Sequence, residues 1–457
     1  MPRSERRADS YLLNPRQTIR LGATRFPIEY LYRGLLVTGA PGSGKTRCVL
    51  LPLLDEIIRA SGSDPSAKAA MIVADPKNEL APFLQAMLRR HGREGDLIVL
   101  KPGAAYYNPL SNPFLHPSEM VEKLIAFGSN RNRGLRPARS EDTFWANASR
   151  ALLTVTVHLA EALKPHGTLT FDNLNHALRT IGCFQSVPAA ESFLKAKRIS
   201  FPAPLFHALA TYLNLPEHQT RPCVMAAVSN LLSFWEEDFL RELVTPCPLM
   251  DKVDPVQVID EGKILVVGCA SAADGASLTP LLLALKDHCF TAILSRDRLE
   301  IERGEDRRRI NQERPVFFVA DEFQAYLSPD PSVGEVNALD RMRGFKAGFL
   351  GATQNLASLH SVLGEAAHAN RLVALFANQV FLANVCETTA RQAEFVLGRR
   401  DVWAGHRAAP PLIGQARRKT EREEPFTGDI LSRLATGEFW MRMADGRVAR
   451  ERASSVG

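Results

Sequence analysis

Eight consecutive residues, Gly39-Ala40-Pro41-Gly42-Ser43-Gly44-Lys45-Thr46, fit the pattern G-x-x-x-x-G-K-[ST]. In that pattern the glycines allow backbone N–H groups to converge on phosphate oxygens at the N-terminus of the following helix. Gly39, Gly42, Ser43 and Gly44 would form the cradle, and Lys45 would reach the β- and γ-phosphates of ATP. Thr46 would set its hydroxyl on Mg2+. A second candidate pair, Asp321-Glu322, follows the apolar run Val316 to Ala320, so both carboxylates should emerge at the C-terminal edge of a buried strand, where open α/β sheets bind ligands. Asp321 is assigned to the metal through water, and Glu322 to the base that orients and deprotonates the attacking water. A carboxylate there favours hydrolysis over transfer to a small acceptor, whose hydroxyl would need the water's position.

Gln354 ends another apolar run, Gly348 to Ala352, and can sense a γ-phosphate. Just before it, Arg341, Arg343 and Lys346 crowd one segment; in a ring, an arginine here can reach a neighbour's γ-phosphate. Arg131, Arg133, Arg136 and Arg139 fall in one Gly/Pro-containing stretch, and Arg303, Arg307, Arg308 and Arg309 in another. Such clusters grip DNA phosphates without regard to sequence, although each alone also suits a solvated loop. No Asn-Lys-x-Asp guanine reader and no Leu-Ser-Gly-Gly-Gln signature occurs.

The elements that must position these residues are readable from the apolar pattern. Gly34 to Thr38 reads as a strand, Arg47 to Ala60 as a helix, and Ala69 to Ala74 and Asp96 to Leu100 as further strands. Strand, loop and helix follow in the order of a parallel α/β sheet. From about Leu115 to Asp254 the texture turns helical, as in Phe144 to Leu163 and Pro222 to Phe234, and strand-like runs nearly vanish. This predicts an all-α domain, 115–254, inserted into an α/β domain made of 34–114 and 255–457, behind an Arg-rich segment, 1–33. Short apolar runs resume at Lys263 to Gly268, Val316 to Ala320, Gly348 to Ala352 and Val380 to Val385. Leu278 to Leu294 reads as a helix, and Arg296 to Arg314 as an exposed charged connection.

The 457 residues suffice for two cores, and a formal charge of +6 mildly favours an anionic partner. The seven cysteines are scattered without Cys-x-x-Cys pairs or zinc-ligand spacing, as expected of reduced, mostly buried thiols in the cytosol. No apolar run approaches the roughly 18 residues of a membrane span.

Together with Asp75-Pro76-Lys77-Asn78-Glu79-Leu80, Asn108-Pro109-Leu110, Asp142-x-Phe144-Trp145, Asp321-Glu322-Phe323 and Ala352-Thr353-Gln354-Asn355, the glycine loop makes the chain resemble the type IV coupling proteins, the TraG/TraD family of the FtsK-HerA superfamily. The resemblance spans roughly residues 33 to 440 and rests chiefly on the Asp-Pro-Lys-x-Glu run and the Trp-bearing helix. It implies a RecA-like P-loop ATPase domain interrupted by an all-helical domain, assembling as a homo-hexamer around DNA. It also implies relaxase or secreted-protein substrates, type IV secretion channel components as partners, and conjugation as the setting. By motif, Lys45 and Thr46 are the Walker A pair, Asp321 and Glu322 the Walker B pair, Gln354 the strand-end sensor and Arg343 the arginine finger. Members of the family typically begin with transmembrane helices, whereas here the motor is expected to start near Gly34. Either such an anchor is lost or removed, or the chain is a soluble relative that meets the membrane through a partner; the expected location is cytoplasmic, with the inner membrane reached peripherally. Two other roles suit the same residues: a HerA-like ATPase in DNA processing or mobile elements, and a receptor platform for protein substrates.

Overall fold

A computed structural model describes residues 13–453 apart from 15, 63, 65–66, 132–141, 165–166, 269–274, 297–313, 331–333 and 404–420. Its centre is a nine-stranded sheet. In chain order, the strands introduced here are β1 (Thr18–Leu21), β2 (Thr24–Pro27), β3 (Leu35–Thr38), β4 (Ala70–Asp75), β5 (Leu97–Leu100) and β6 (Ile264–Gly268), then β7 (Val316–Ala320), β8 (Ala347–Thr353), β9 (Asn378–Leu382), β10 (Glu438–Arg442) and β11 (Val448–Arg452). The sheet order is β11-β10-β9-β3-β8-β7-β4-β6-β5. Strands β3 to β9 run parallel, and β10 and β11 close one edge antiparallel. The architecture is therefore α/β with a mostly parallel sheet, and helices fill the long crossover between β5 and β6.

The strands near the middle of the sheet are buried at every position and mostly apolar because both faces are covered, as parallel strands require. Successive side chains go to opposite faces. In β7, Val316, Phe318 and Ala320 join one core, while Phe317 and Val319 join the other. The second core is closed by α1 (Leu51–Ser61), α2 (Ala81–Arg90) and the β1-β2 hairpin. Residues 18–33 are thus folded against the central sheet and α1, and the hairpin is tied down by Arg20, whose Nε donates to Glu56 of α1 at 3.1 Å.

The first core continues into helices α3 (Pro117–Arg131), α4 (Asp142–Leu163), α5 (Phe171–Gly182), α6 (Val187–Ala196), α7 (Ala203–Leu213), α8 (Thr220–Ser233) and α9 (Asp238–Val244). Helix α4 packs against α3, α5, α7 and α8. Helix α5 begins with a reciprocal cap: Thr170 Oγ1 accepts from Asn173 N–H at 3.3 Å, and Asn173 Oδ1 accepts from Thr170 N–H at 3.0 Å. Buried Trp235 stacks on Phe171 with ring centroids 4.6 Å apart. Helix α10 (Pro255–Glu261) leads back to β6, and α11 (Gly275–Leu294) packs on α3 with Lys123 paired to Asp287. No described helix is long and apolar enough to cross a membrane.

Two expectations need correction. Arg296 and Arg314, the ends of the stretch read as an exposed connection, are buried. Their guanidinium groups donate to backbone carbonyls at the N-terminal ends of strands, Arg296 to Phe345 at 2.5 Å and to Arg314 at 2.6 Å. Arginine's donor fork can satisfy several such carbonyls at once, which a charge count along the chain does not reveal. The cysteines also depart from expectation: of the described ones, Cys48 and Cys289 are buried, Cys183 and Cys223 are exposed, and Cys247 and Cys386 lie between.

A fully buried ion pair joins α11 to α12 (Glu335–Met342): Lys286 Nζ meets Glu335 Oε1 and also donates to the Tyr326 carbonyl at 2.9 Å. Lys286→Met should cost about 3–5 kcal/mol, because it strands a buried carboxylate. The double change Lys286→Met with Glu335→Leu should recover most of that loss in denaturant unfolding. Equal instability of the single and double variants would show that the pair is not what holds α12.

Candidate nucleotide site

Because β3 is parallel to its neighbours, the loop after it opens at the same sheet edge as the turns after β4, β7, β8 and β9. Gly42 and Gly44 have φ of 76° and 103°, values that a side chain disfavours. Contacts with neighbouring strands hold the loop: Gly39 N–H donates to Thr353 O at 3.3 Å and Ala40 N–H to Ala383 O at 2.8 Å. From the far end of the chain, Gly437 N–H donates to Ser43 O at 3.0 Å. A Cβ on Gly44 would lie 2.9 Å from Cys48 Sγ and 3.3 Å from Gly437 N. Gly44→Ala should therefore lower the melting temperature and weaken nucleotide binding by roughly tenfold or more, the left-handed conformation alone costing about 1–2 kcal/mol. Wild-type binding in a fluorescent-nucleotide titration would refute that account of the loop.

The loop runs into a wide π-type turn, Lys45–Leu50, continuous with α1. Lys45 is buried and its Nζ donates to the loop's own carbonyls, Gly39 O at 2.8 Å and Ala40 O at 3.3 Å. Burial lowers its pKa, opposed by the charges of Glu322 and Asp321. Thr46 Oγ1 donates to Asp321 Oδ2 at 3.0 Å, so the hydroxyl and the carboxylate expected to share a metal are already adjacent. Burial raises the Asp321 pKa against the lowering effect of the Thr46 hydrogen bond.

Glu322 has φ of 48°, in the left-handed region, which turns the chain sharply after β7. Its carboxylate accepts from Lys77 Nζ at 2.6 Å on Oε1, and from Gln324 Nε2 at 2.5 Å and Gln354 Nε2 at 3.2 Å on Oε2. Burial pushes its pKa up, but the hydrogen bonds from Lys77 and Gln324 and the Lys77 charge outweigh it and leave the group below its ordinary value. Gln354 is itself held from β9's end, where Asn384 Nδ2 donates to the Gln354 carbonyl at 2.8 Å. Thr353 Oγ1 donates to Gln324 Oε1 at 2.8 Å.

The fold thus brings together the glycine loop, Lys45, Thr46, Asp321, Glu322 and Gln354. Arg343 is elsewhere: it is exposed in a turn, Arg343–Phe345, that precedes β8, at the N-terminal edge of the sheet. Within one chain it faces away from the loop. Of the candidate DNA contacts, Arg133, Arg136 and Arg139 lie outside the described residues, as do Arg303, Arg307, Arg308 and Arg309; Arg131 ends α3, and its side chain is not described. Sequence reasoning assigned no role to Lys77, Gln324 or Asn384. The available signal was position: Lys77 lies just past β4, and β4 pairs in parallel with β7, whose end carries Glu322.

The residues fit a nucleotide triphosphate. The loop has the glycine conformations of a phosphate cradle, an ammonium is folded onto it, and buried Ser43 Oγ has no hydrogen-bond partner among the described residues. A mostly parallel sheet with this loop at its carboxyl edge, interrupted by a segment that is helical except for the short strand Asp251–Lys252, has the architecture of the RecA-like P-loop fold. Residues 256–418 match the family described as the type IV secretion-system coupling protein DNA-binding domain. No curated protein matches the sequence significantly.

Among solved structures, the fold is similar to the bacterial conjugative coupling protein TrwB. Its unbound N-terminally truncated form has a TM-score of 0.63 at 18% identity, covering 99% of this chain and 91% of that one. Plasmid coupling protein TrwB in complex with ADP and Mg2+ also gives 0.63 at 18%, covering 100% and 94%. VirB4 of Thermoanaerobacter pseudethanolicus gives 0.54 at 16%, covering 97% and 98%. The family match covers about a third of the chain, and the likeness to TrwB and VirB4 shows that the fold is shared along nearly all of it.

Proposed function

We propose that this protein is an ATP-driven motor that translocates DNA, acting as the coupling ATPase that delivers a DNA or nucleoprotein substrate to a type IV secretion channel. One observation carries the reading: the Thr46–Asp321 and Glu322–Gln354 contacts converge beside the glycine loop, in a chain whose residues 256–418 match a coupling-protein DNA-binding domain.

Backbone N–H groups of Gly42 to Thr46 and the Lys45 ammonium bind the phosphates of ATP. Thr46 and, through water, Asp321 would hold Mg2+, which would neutralise phosphate charge. Glu322 orients the attacking water and takes its proton. Gln354 contacts the γ-phosphate region and shares Glu322 Oε2 as its partner, so a change at one is felt by the other. Arg343, remote from its own chain's loop, acts on the neighbouring subunit's nucleotide in a homo-hexamer. The motor comprises 34–114 and 255–457, the helical insertion 115–254, with 1–33 leading in. Arg131, Arg133, Arg136 and Arg139 contribute sequence-independent phosphate contacts to DNA. The ring works in the cytoplasm, meeting the inner membrane through its partners.

The test is ATP hydrolysis with and without single- and double-stranded DNA, run alongside mass measurement of the assembly. Turnover should rise with DNA, and DNA binding should weaken linearly in log–log with salt. Turnover indifferent to both kinds of DNA, with intact binding of a secreted protein, would replace the motor by a receptor platform.

A further inference from the structure

We infer that Lys77 is a positioning residue for ATP hydrolysis, fixing the carboxylate of Glu322 in the orientation from which it addresses the attacking water; the inference rests on Glu322 being the base. A carboxylate offers about four acceptor positions. Lys77, Gln324 and Gln354 take three of them, on both oxygens, which leaves about one for water. Gln324 and Gln354 share Oε2, so Lys77 alone among these donors fixes Oε1 and with it the plane of the group.

Lys77 is delivered by a stiff turn. Buried Asp75 ends β4, its Oδ2 accepts from Leu80 N–H at 2.6 Å, and Asn78 N–H donates back to Asp75 O at 3.0 Å. Asn78 adopts φ of 54°, a left-handed conformation that closes the turn and that Asn tolerates better than most residues. The adjacent strand carries Glu322 at the matching level: Ala74 is opposite Ala320, and Asp321 N–H donates to Ala74 O at 3.1 Å. Two strand-end turns of one parallel sheet therefore set the distance between ammonium and carboxylate. The Lys77 side chain keeps half its surface in solvent, so it is not a core residue held for packing. Its charge-assisted hydrogen bond is of the strong kind.

The experiment compares wild type, Lys77→Met, Lys77→Arg, Glu322→Gln and the Lys77→Met/Glu322→Gln pair, as full chains. Lys77→Met should lower kcat about tenfold or more with the KM for ATP within twofold, and Lys77→Arg should restore most of kcat. The double variant should turn over no more slowly than Glu322→Gln alone, since Lys77 acts only through that carboxylate. A wild-type kcat in Lys77→Met, or effects that multiply in the double variant, would overturn the assignment. Thermal melting of the same set reads the pair without turnover, and non-additive midpoints are expected. If wild type binds a fluorescent ATP analogue but never hydrolyses ATP, the motor reading fails; non-additive melting then upholds the pairing, and additive melting overturns it.

Discussion

Lys45→Ala is expected to weaken ATP binding by on the order of 100-fold, equivalent to about 3 kcal/mol, and to abolish measurable turnover at ordinary substrate concentrations. Lys45 has one role in the folded chain on which the structure is explicit: its ammonium bridges the carbonyls of Gly39 and Ala40, and so folds the loop over itself. Bound phosphate offers the same ammonium a charged acceptor in place of two neutral ones, and charge-assisted bonds are roughly twice as strong. Truncation removes both the loop's tie and the phosphate's counter-charge. The measurement is titration of a fluorescent ATP analogue, with thermal melting to separate lost binding from lost fold. Hydrolysis by pure Lys45→Ala protein at the wild-type rate would show that the turnover comes from another site.

Glu322→Gln should separate binding from chemistry. The amide fills the same space and retains an oxygen for Lys77, so ATP affinity and melting should stay near wild type. It cannot take a proton from water, and general-base contributions are typically about 100- to 10,000-fold. Turnover should fall within that range, with bound ATP trapped unhydrolysed. Single-turnover kinetics check this directly: a normal burst of ADP in the variant would remove Glu322 from the chemistry. Gln354 and Gln324 both donate to Oε2, which an amide nitrogen cannot accept, so a modest loss of order around Gln354 is also expected.

The two residues differ in how they could be recognised from the chain alone. Lys45 sits inside a contiguous motif whose spacing states its own chemistry, because the glycines, the lysine and the threonine all act within one turn. Glu322 needed a second inference, that an apolar run followed by two acids is a buried strand ending at a ligand edge, and β7 has the predicted limits. The strands buried on both faces, β3, β4, β6, β7 and β8, are legible as nearly continuous apolar runs, the pattern that a covered parallel sheet requires. Strands β10 and β11 are not legible in the sequence. They lie at the edge, where alternation between Phe439 or Met441 inside and partly exposed Glu438, Trp440 and Arg442 mimics an ordinary surface segment. Within the Arg-rich segment 1–33 the hairpin is hidden, since the few apolar side chains that fasten it, Ile19, Leu21 and Phe26, are too sparse to stand out.

What the linear order of residues determined is therefore chemistry that is local: the phosphate cradle, the acidic pair, the sequence of strands and helices, and the long helical interruption. What it left open is which strand ends become neighbours. Strand order in a parallel sheet is set by how crossovers pack rather than by adjacency in the chain, so β4 comes to lie beside β7 and β8 beside β3. That single topological fact brings Lys77 within 2.6 Å of Glu322, 245 residues away, and Thr46 within 3.0 Å of Asp321, 275 residues away. It also sets Arg343 at the opposite strand ends, out of reach of its own chain's loop. Side-chain type announces what a residue can do; only the folded sheet decides which other residue it does it with.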